Sequence, residues 1–386
     1  MRFIKTMSLF IRIFFGKKIE TIFYYSVQFD YGDNFYFKQM INYCDRKSEN
    51  YICLVEPVKG IKYKNRKNTY PFDFFYSLFL AEKKFKNFYT TSNNFNFFSR
   101  LIKVFFKKVR PKNVFTIANS GLFYLRYLFE DSYIYECQHG IIHKDHFGYF
   151  KKTYIEDLRN LQIDYLLWSE VYKNFFFEYD EFKARRFYSL GKSNHIDKQI
   201  SQRKNFFFNH KILISLDFSD NDTDERFSKD QTVFLKNFIK ENNKVKKFQI
   251  YLKPHPRDKK NFEYSEIFNI DKKYIVPKEK FRHNNYCLHL TFYSSLIIDF
   301  AARSIPSIIL PSFDYTKHNY GLNIGKRVFV DQLGYPIDFD KNILKKINDY
   351  SKDIEIYKND AMAVKRWHSK VQMPFNEKLF EEILKR

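Results

Sequence analysis

Apolar strand runs and helical patterns alternate along this chain in two consecutive blocks, and that alternation limits the folds open to it. In the first block TIFYYSV (21–27), YICLVEPV (51–58), NVFTIANS (113–120), SYIYECQ (132–138) and QIDYLLWSE (162–170) read as strands. NVFTIANS runs into Asn-Ser-Gly, a strand-to-helix turn, and LFYLRYLF (122–129) follows with helical spacing. VYKNFFFEYDEFKARRF (171–187) reads as one amphipathic helix. Residues 191–210, GKSNHIDKQISQRKNFFFNH, are polar and weakly periodic, as a linker would be. The second block opens with the strand KILISLDF (211–218), the helix DQTVFLKNFIKENN (230–243) and the strand KFQIYLKP (247–254). KYIVP (273–277) and YCLHLTF (286–292) read as strands, SSLIIDFAARS (294–304) as a helix and PSIILP (306–311) as a strand. Such alternation builds a parallel sheet with helices on both faces. The expectation is two doubly wound α/β domains, 1–190 and 211–370, with a linker at 191–210 and an amphipathic helix at 371–386.

A chain of 386 residues accommodates two such domains, and 44% hydrophobic content supplies their cores. The net charge is +23, unevenly placed. Residues 1–112 carry 22 Lys/Arg against 8 Asp/Glu, whereas residues 113–200 carry 11 against 12. A basic first third suits an anionic partner such as a phospholipid surface, a charged saccharide or nucleic acid, or else is a solvated face. Nucleic acid is disfavoured, because no recognition motif is present and the aromatics are not confined to a basic stripe. Cys44, Cys53, Cys137 and Cys287 form no C-x-x-C pair and read as reduced thiols of a cytoplasmic protein. No apolar run reaches the roughly 20 residues of a membrane span. MSLFIRIFF (7–15), interrupted by Arg12 and flanked by Lys5, Lys17 and Lys18, reads either as a buried first helix or as a helix lying on a membrane surface.

Three clusters carry chemistry. YECQHGIIHKDHFGYF (135–150) follows a strand and holds His139, His143 and His146, with Gln138 and Gly140 beside the first. In YLKPHPRD (251–258) the strand must stop at Pro254 and Pro256, which leaves Lys253, His255 and Arg257 at its carboxyl edge. In TFYSSLIIDFAARS (291–304) Ser294 and Ser295 open a helix that carries Asp299. Serines there cap exposed N–H groups, and such N–H groups also bind phosphate. In open α/β sheets ligands bind outside the carboxyl ends of strands, so the last two clusters suit one anionic ligand. Asp220, Asp222 and Asp224 have calcium-loop spacing, but Glu225 and Gln231 occupy the positions that need Gly and Glu, so no metal is expected. P-loop, dinucleotide-binding and nucleophile-elbow signatures do not occur.

KPHP followed by Ser-Ser at a helix start, with QHG in the preceding domain, resembles the bacterial GT-B glycosyltransferases of surface polysaccharides. These include capsule and lipooligosaccharide transferases, sialyltransferases and teichoic-acid glycerophosphotransferases. The resemblance is strongest over 250–310, weaker over 130–170 and thin before 110. It implies two Rossmann-like domains facing a central cleft. It also implies inverting, metal-independent transfer of a sugar, without a cofactor, from a nucleotide-activated donor to a glycan or glycolipid. In the sialyltransferases an HP motif and a paired-Ser motif hold the donor phosphate, which carries over to His255, Pro256, Ser294 and Ser295 and tilts the donor toward CMP linkage. The HG loop of the glycerophosphotransferases, which supplies their proposed base, carries over to His139 and Gly140, although Gln138 stands where Trp is common there. Glu136, just before the loop, is a rival base, and Asp33, in QFDYGDN with Asp30 beside it, is another by analogy with polysialyltransferases. Glu170 is a further ligand contact or a helix cap. The implied location is cytoplasmic, peripheral to an anionic inner membrane face. The alternatives are a polyol-phosphate transferase using a CDP-polyol, a nucleic-acid-binding protein, and a non-catalytic scaffold.

Overall fold

Strand β1 (Thr21–Ser26) is buried at every position, because it has parallel neighbours on both sides and cover on both faces. The computed structural model describes residues 2–30, 36–58, 66–78, 97–118, 121–144, 146–150, 161–192, 208–216, 225–245, 247–254, 264–277, 280–310, 326–337 and 343–386. The chain divides into two units, residues 1–195 with 373–386, and residues 196–372.

The first unit is built on a seven-stranded sheet in the order β3-β2-β1-β4-β5-β6-β7, parallel throughout. Its further strands are β2 (Tyr51–Glu56), β3 (Thr69–Pro71), β4 (Asn113–Ile117), β5 (Tyr133–Cys137), β6 (Ile163–Leu167) and β7 (Phe187–Ser189). Phe23, Phe115 and Tyr135 share one register row across β1, β4 and β5. Their rings stack at 5.3 and 5.1 Å, and Phe380 of the Glu377–Lys385 helix closes over Phe115 at 5.5 Å. That C-terminal helix therefore completes the core of the first unit. Asn376 caps it, its side chain accepting from Leu379 N at 3.0 Å.

The expected single helix over 171–187 is instead a chain of short turns: Glu170–Tyr172, Lys173–Phe177 and Asp180–Phe182. The break lets Phe182 fold back against Phe176, at 5.1 Å, and Tyr165, at 5.7 Å, and frees Phe187–Ser189 to pair as β7. Aromatic packing here overrides helical periodicity.

The second unit has a four-stranded parallel sheet, β11-β10-β8-β9, from β8 (Lys211–Ser215), β9 (Gln249–Lys253), β10 (Leu288–Thr291) and β11 (Ser307–Ile309). One face buries Ile212, Ile214, Leu252 and Leu290 against Leu235 and Phe238 of the Glu225–Val245 helix and Ile347 of the Ile343–Lys352 helix. The other face packs Leu213 on Phe300 and Ile305. KYIVP forms no strand; Lys272–Tyr274 is a 3-10 turn, and Ile275 makes one bridge to Leu252. The helix expected over 294–304 is shorter, Leu296–Ala301. All four cysteines are buried free thiols, and burial pushes the Cys44 thiol up to about 12. Among the described residues no helix is long and apolar enough to cross a membrane.

Candidate active site

In each unit the strand order reverses beside the first strand, between β1 and β4 in one and between β8 and β10 in the other. Loops diverge to opposite faces at such a switch point and leave a crevice at the carboxyl edge of the sheet.

In the first unit the loop after β1 is the 3-10 turn Val27–Phe29 and Asp30. β4 ends at Ile117, and Ala118 then takes a left-handed φ of 57°, a conformation an L side chain adopts only under constraint. β5 delivers Gln138, His139 and Gly140. The Phe29 ring stands 6.0 Å from the His139 ring, so the loops after β1 and β5 meet over the end of β4.

Gln138 sets the path of the His139 loop. It is buried, its Oε1 accepts from Trp168 N at 2.8 Å, and its Nε2 donates to Gly140 O at 2.8 Å. One amide thus ties the turn after β5 to the turn after β6. Trp168 is fixed in turn, its indole N–H donating to Tyr36 Oη at 3.1 Å.

His139 is half-buried. Its Nδ1 lies 3.3 Å from Tyr149 Oη, and the two rings stack at 6.0 Å. Burial raises the Tyr149 phenol well above its ordinary value, so it keeps its proton. This hydrogen bond suits a general base in one sense only. With Nδ1–H donating to the phenol oxygen, the lone pair sits on Nε2, where an acceptor hydroxyl can reach it. The His146 ring stands edge-on to Tyr149 at 4.9 Å, and burial lowers its pKa. His143 is buried and 5.4 Å from His146, so both histidines pack behind His139 as a wall.

The acidic candidates differ. Asp33 lies outside the described residues. Asp30 is buried and ion-paired with Arg66, whose Nη2 donates at 2.6 Å and whose Nε donates to both carboxylate oxygens at 3.2 Å. These charge-assisted bonds commit the Asp30 carboxylate to the guanidinium. Glu170 accepts from Ser189 Oγ at 2.5 Å and ties its turn to β7.

In the second unit one register row runs along the carboxyl edge: Lys253 of β9 beside Ser215 of β8, and Ser215 beside Thr291 of β10. Lys253 is 7% exposed, and its Nζ lies over the Phe281 ring at 5.2 Å from the centroid. Ser294 N donates to Thr291 Oγ1 at 2.7 Å, so the serine turn stands directly on this row. Ser294 Oγ accepts from Leu296 N at 3.4 Å and is a cap; Ser295 is exposed and its side chain caps nothing. His255, Pro256 and Arg257 lie outside the described residues, as do Asp220, Asp222 and Asp224. Asp299 sits on the Leu296–Ala301 helix behind the serines; burial lowers the His283 and Arg303 pKa values, and the Asp299 charge offsets part of that.

Beneath the row lies a layer that the motifs did not announce. His289 of β10 is fully buried, with Nε2 2.5 Å from Ser215 Oγ and Nδ1 2.9 Å from Ser307 Oγ, and its ring stacks on Phe300 at 4.4 Å. Burial and the nearby charges of His283 and Lys253 hold its pKa well below the usual value. It is a neutral brace across β8, β10 and β11. The sequence signal was a lone His in the apolar run CLHLT. Ser215 and Thr291 had a signal too, as hydroxyl residues at the last position of an apolar strand.

A cavity of about 400 Å³ opens at the amino edge of β4 and β5, lined by Arg110, Pro111 and Ser132 among others. It lies at the opposite edge of the first sheet from the His139 loop and is not part of that loop's site.

No protein-family model matches the sequence, and no curated protein matches it. Solved structures resemble its fold. MnaA of S. aureus with UDP aligns over 95% of each chain, with a TM-score of 0.53 and 12% identity. UDP-GlcNAc 2-epimerase from Neisseria meningitidis, bound to UDP-GlcNAc, aligns over 95% of this chain and 100% of that one, with a TM-score of 0.53 and 10% identity. A variant of the wall teichoic acid polymerase TagF aligns over 100% of this chain and 96% of that one, with a TM-score of 0.52 and 12% identity. Likeness at such identity is a likeness of fold, and the fold is GT-B, two Rossmann-like α/β units.

Proposed function

We propose that the protein is a glycosyltransferase that moves a sugar from a nucleotide-activated donor to a bacterial surface glycan or glycolipid. The observation that carries this reading is the row Lys253–Ser215–Thr291 at the switch point of the second sheet, with the Ser294 turn standing on it. The Lys253 cation and the Ser294–Ser295 turn at that edge suit the phosphate of a nucleotide, and the buried Ser215 and Thr291 hydroxyls brace them from beneath. The solved structures that share the fold include one with UDP and one with UDP-GlcNAc, which supports a nucleotide as the ligand.

In the proposed reaction the acceptor hydroxyl gives its proton to His139 Nε2 as its oxygen attacks the anomeric carbon. The bond from that carbon to the donor phosphate oxygen breaks, and the electron pair leaves on the phosphate. Lys253 and the Ser294–Ser295 turn stabilise that charge. One displacement inverts the anomeric carbon. A lysine at the phosphate supplies positive charge that a divalent cation supplies elsewhere, which makes the reaction metal-independent in this reading. His255 and Arg257 would add to the same phosphate site. The Ser-Ser and HP motifs favour a CMP-linked donor and a capsule or lipooligosaccharide acceptor, used at the inner face of the bacterial membrane.

The test is product analysis with a panel of nucleotide sugars and CDP-polyols. A new glycosidic bond with inverted configuration is expected. A phosphodiester product would identify a polyol-phosphate transferase, and a 2-epimeric nucleotide sugar formed without acceptor would identify an epimerase.

A further inference from the structure

On the Arg2–Phe15 helix the polar residues Lys5, Ser8 and Arg12 share one half-buried arc, and the arc turned to water is apolar. Leu9 and Ile13 are buried against the first unit. On the opposite arc Ile4, Met7, Ile11, Phe14 and Phe15 are all large, apolar and 41–85% exposed. At 3.6 residues per turn these five positions form one continuous stripe.

The stripe continues across neighbouring elements. Phe10 and Phe14 contact Phe105 of the Phe97–Phe106 helix at 4.5 and 5.3 Å. On that helix Leu101 and Val104 are exposed, and Phe74 beside Phe10 is exposed as well. The result is an apolar surface spanning three helices, Arg2–Phe15, Phe97–Phe106 and residues 73–78. Monomeric soluble proteins rarely leave such contiguous surface open to water.

Its rim is basic. Lys5 lies over Tyr70 at 5.7 Å, Lys108 over Phe14 at 4.6 Å, and Lys17 and Lys18 follow the helix exposed. Beyond Val104 the cavity of about 400 Å³ takes Arg100, Lys103, Lys107 and Arg110 into its wall, against Glu130 and Asp131. A protein partner would have to match an apolar stripe ringed with cations. A bilayer with anionic headgroups presents both chemistries in the same geometry.

We infer that this face is a membrane-docking surface, in which Ile4, Met7, Ile11, Phe14 and Phe15 enter the acyl boundary and the surrounding Lys and Arg side chains engage anionic headgroups. The basic cavity beside Val104 receives a headgroup phosphate. Attachment is thus apolar insertion reinforced by charge, and it does not depend on the reaction proposed above.

The experiment is flotation of the full chain with phosphatidylcholine vesicles and with vesicles containing about one-third phosphatidylglycerol. The comparison is an Ile11→Glu/Phe15→Glu double variant, whose substituted side chains are exposed and outside the core. Wild type should float with anionic vesicles at about tenfold the partition of the variant, and about 1 M salt should weaken its binding without abolishing it. Melting temperature and nucleotide-induced thermal shift, read on both proteins, should be unchanged, which separates this face from the donor site. The inference is overturned if wild type stays in solution with anionic vesicles, or if the variant floats equally. It is overturned in favour of self-association if wild type ignores vesicles but is a dimer that the variant makes monomeric.

Discussion

His139 Nδ1 lies 3.3 Å from the hydroxyl of Tyr149, a buried phenol that keeps its proton. The contact orients the imidazole, and the tautomer with Nδ1–H donating to the phenol oxygen leaves Nε2 free to accept a proton. His139→Ala should reduce turnover by about 10²–10⁴-fold, the usual contribution of a general base, and leave donor binding unchanged. Tyr149→Phe should lower kcat with little effect on the donor KM and should shift the acidic limb of the kcat–pH profile. Steady-state kinetics across pH on the three proteins checks this. An unchanged Tyr149→Phe profile would show that the phenol only packs.

Gln138 is a positioning residue. Gln138 is buried and bonds to Trp168 N and Gly140 O, the first of these bonds fully buried. Gln138→Ala should cost about 1–3 kcal/mol of stability by leaving these groups unsatisfied. Gln138→Glu should be worse, because a carboxylate oxygen would then face the Gly140 carbonyl. Denaturant melts of both variants test the order.

The stacked row Phe23–Phe115–Tyr135 holds the sheet that carries the His139 loop. Phe115 is fully buried, and Phe115→Ala should cost about 3–5 kcal/mol, read from urea unfolding.

Acid should destabilise the second unit through histidine. Burial holds His283 down at about 4 from an ordinary value of 6.5, and His289 lies well below its usual value for the same reason. A depressed folded value means that the unfolded chain binds protons first. Stability is then fully present above about 6.5 and falls as pH drops toward about 4. At about 1.4 kcal/mol per unit, His283 accounts for ~3 kcal/mol of that loss. His283→Phe should flatten the slope between those limits in pH-dependent melts.

Parallel strands buried on both faces read as unbroken apolar runs, which is why β1, β2, β4, β5, β8, β9 and β10 were legible in the sequence. β3 and β7 were not, because TYP and FYS carry no apolar run, whereas SII of the equally short edge strand β11 does. The 171–187 segment misled because its aromatics match helical spacing, yet they satisfy a compact cluster better. At the site, Lys253 was visible because prolines end its strand. The His289 brace was not, because a histidine's value there comes from Ser215 and Ser307, distant in sequence and adjacent in the sheet. The apolar face of the first helix was half legible. MSLFIRIFF suited burial or a membrane surface, and only packing shows which side is left open.

The central claim is that the Lys253–Ser215–Thr291 edge holds the donor nucleotide, and thermal-shift titration with CMP, CDP, UDP, GDP and their sugar conjugates tests it most directly. A ligand that binds only the folded state raises the melting temperature by mass action. The account predicts a selective rise with one nucleotide, and a weakening of its Kd by about 10–100-fold in Lys253→Ala, the range for a hydrogen bond to a charged group. No rise with any nucleotide, or an equal rise in Lys253→Ala, would contradict it.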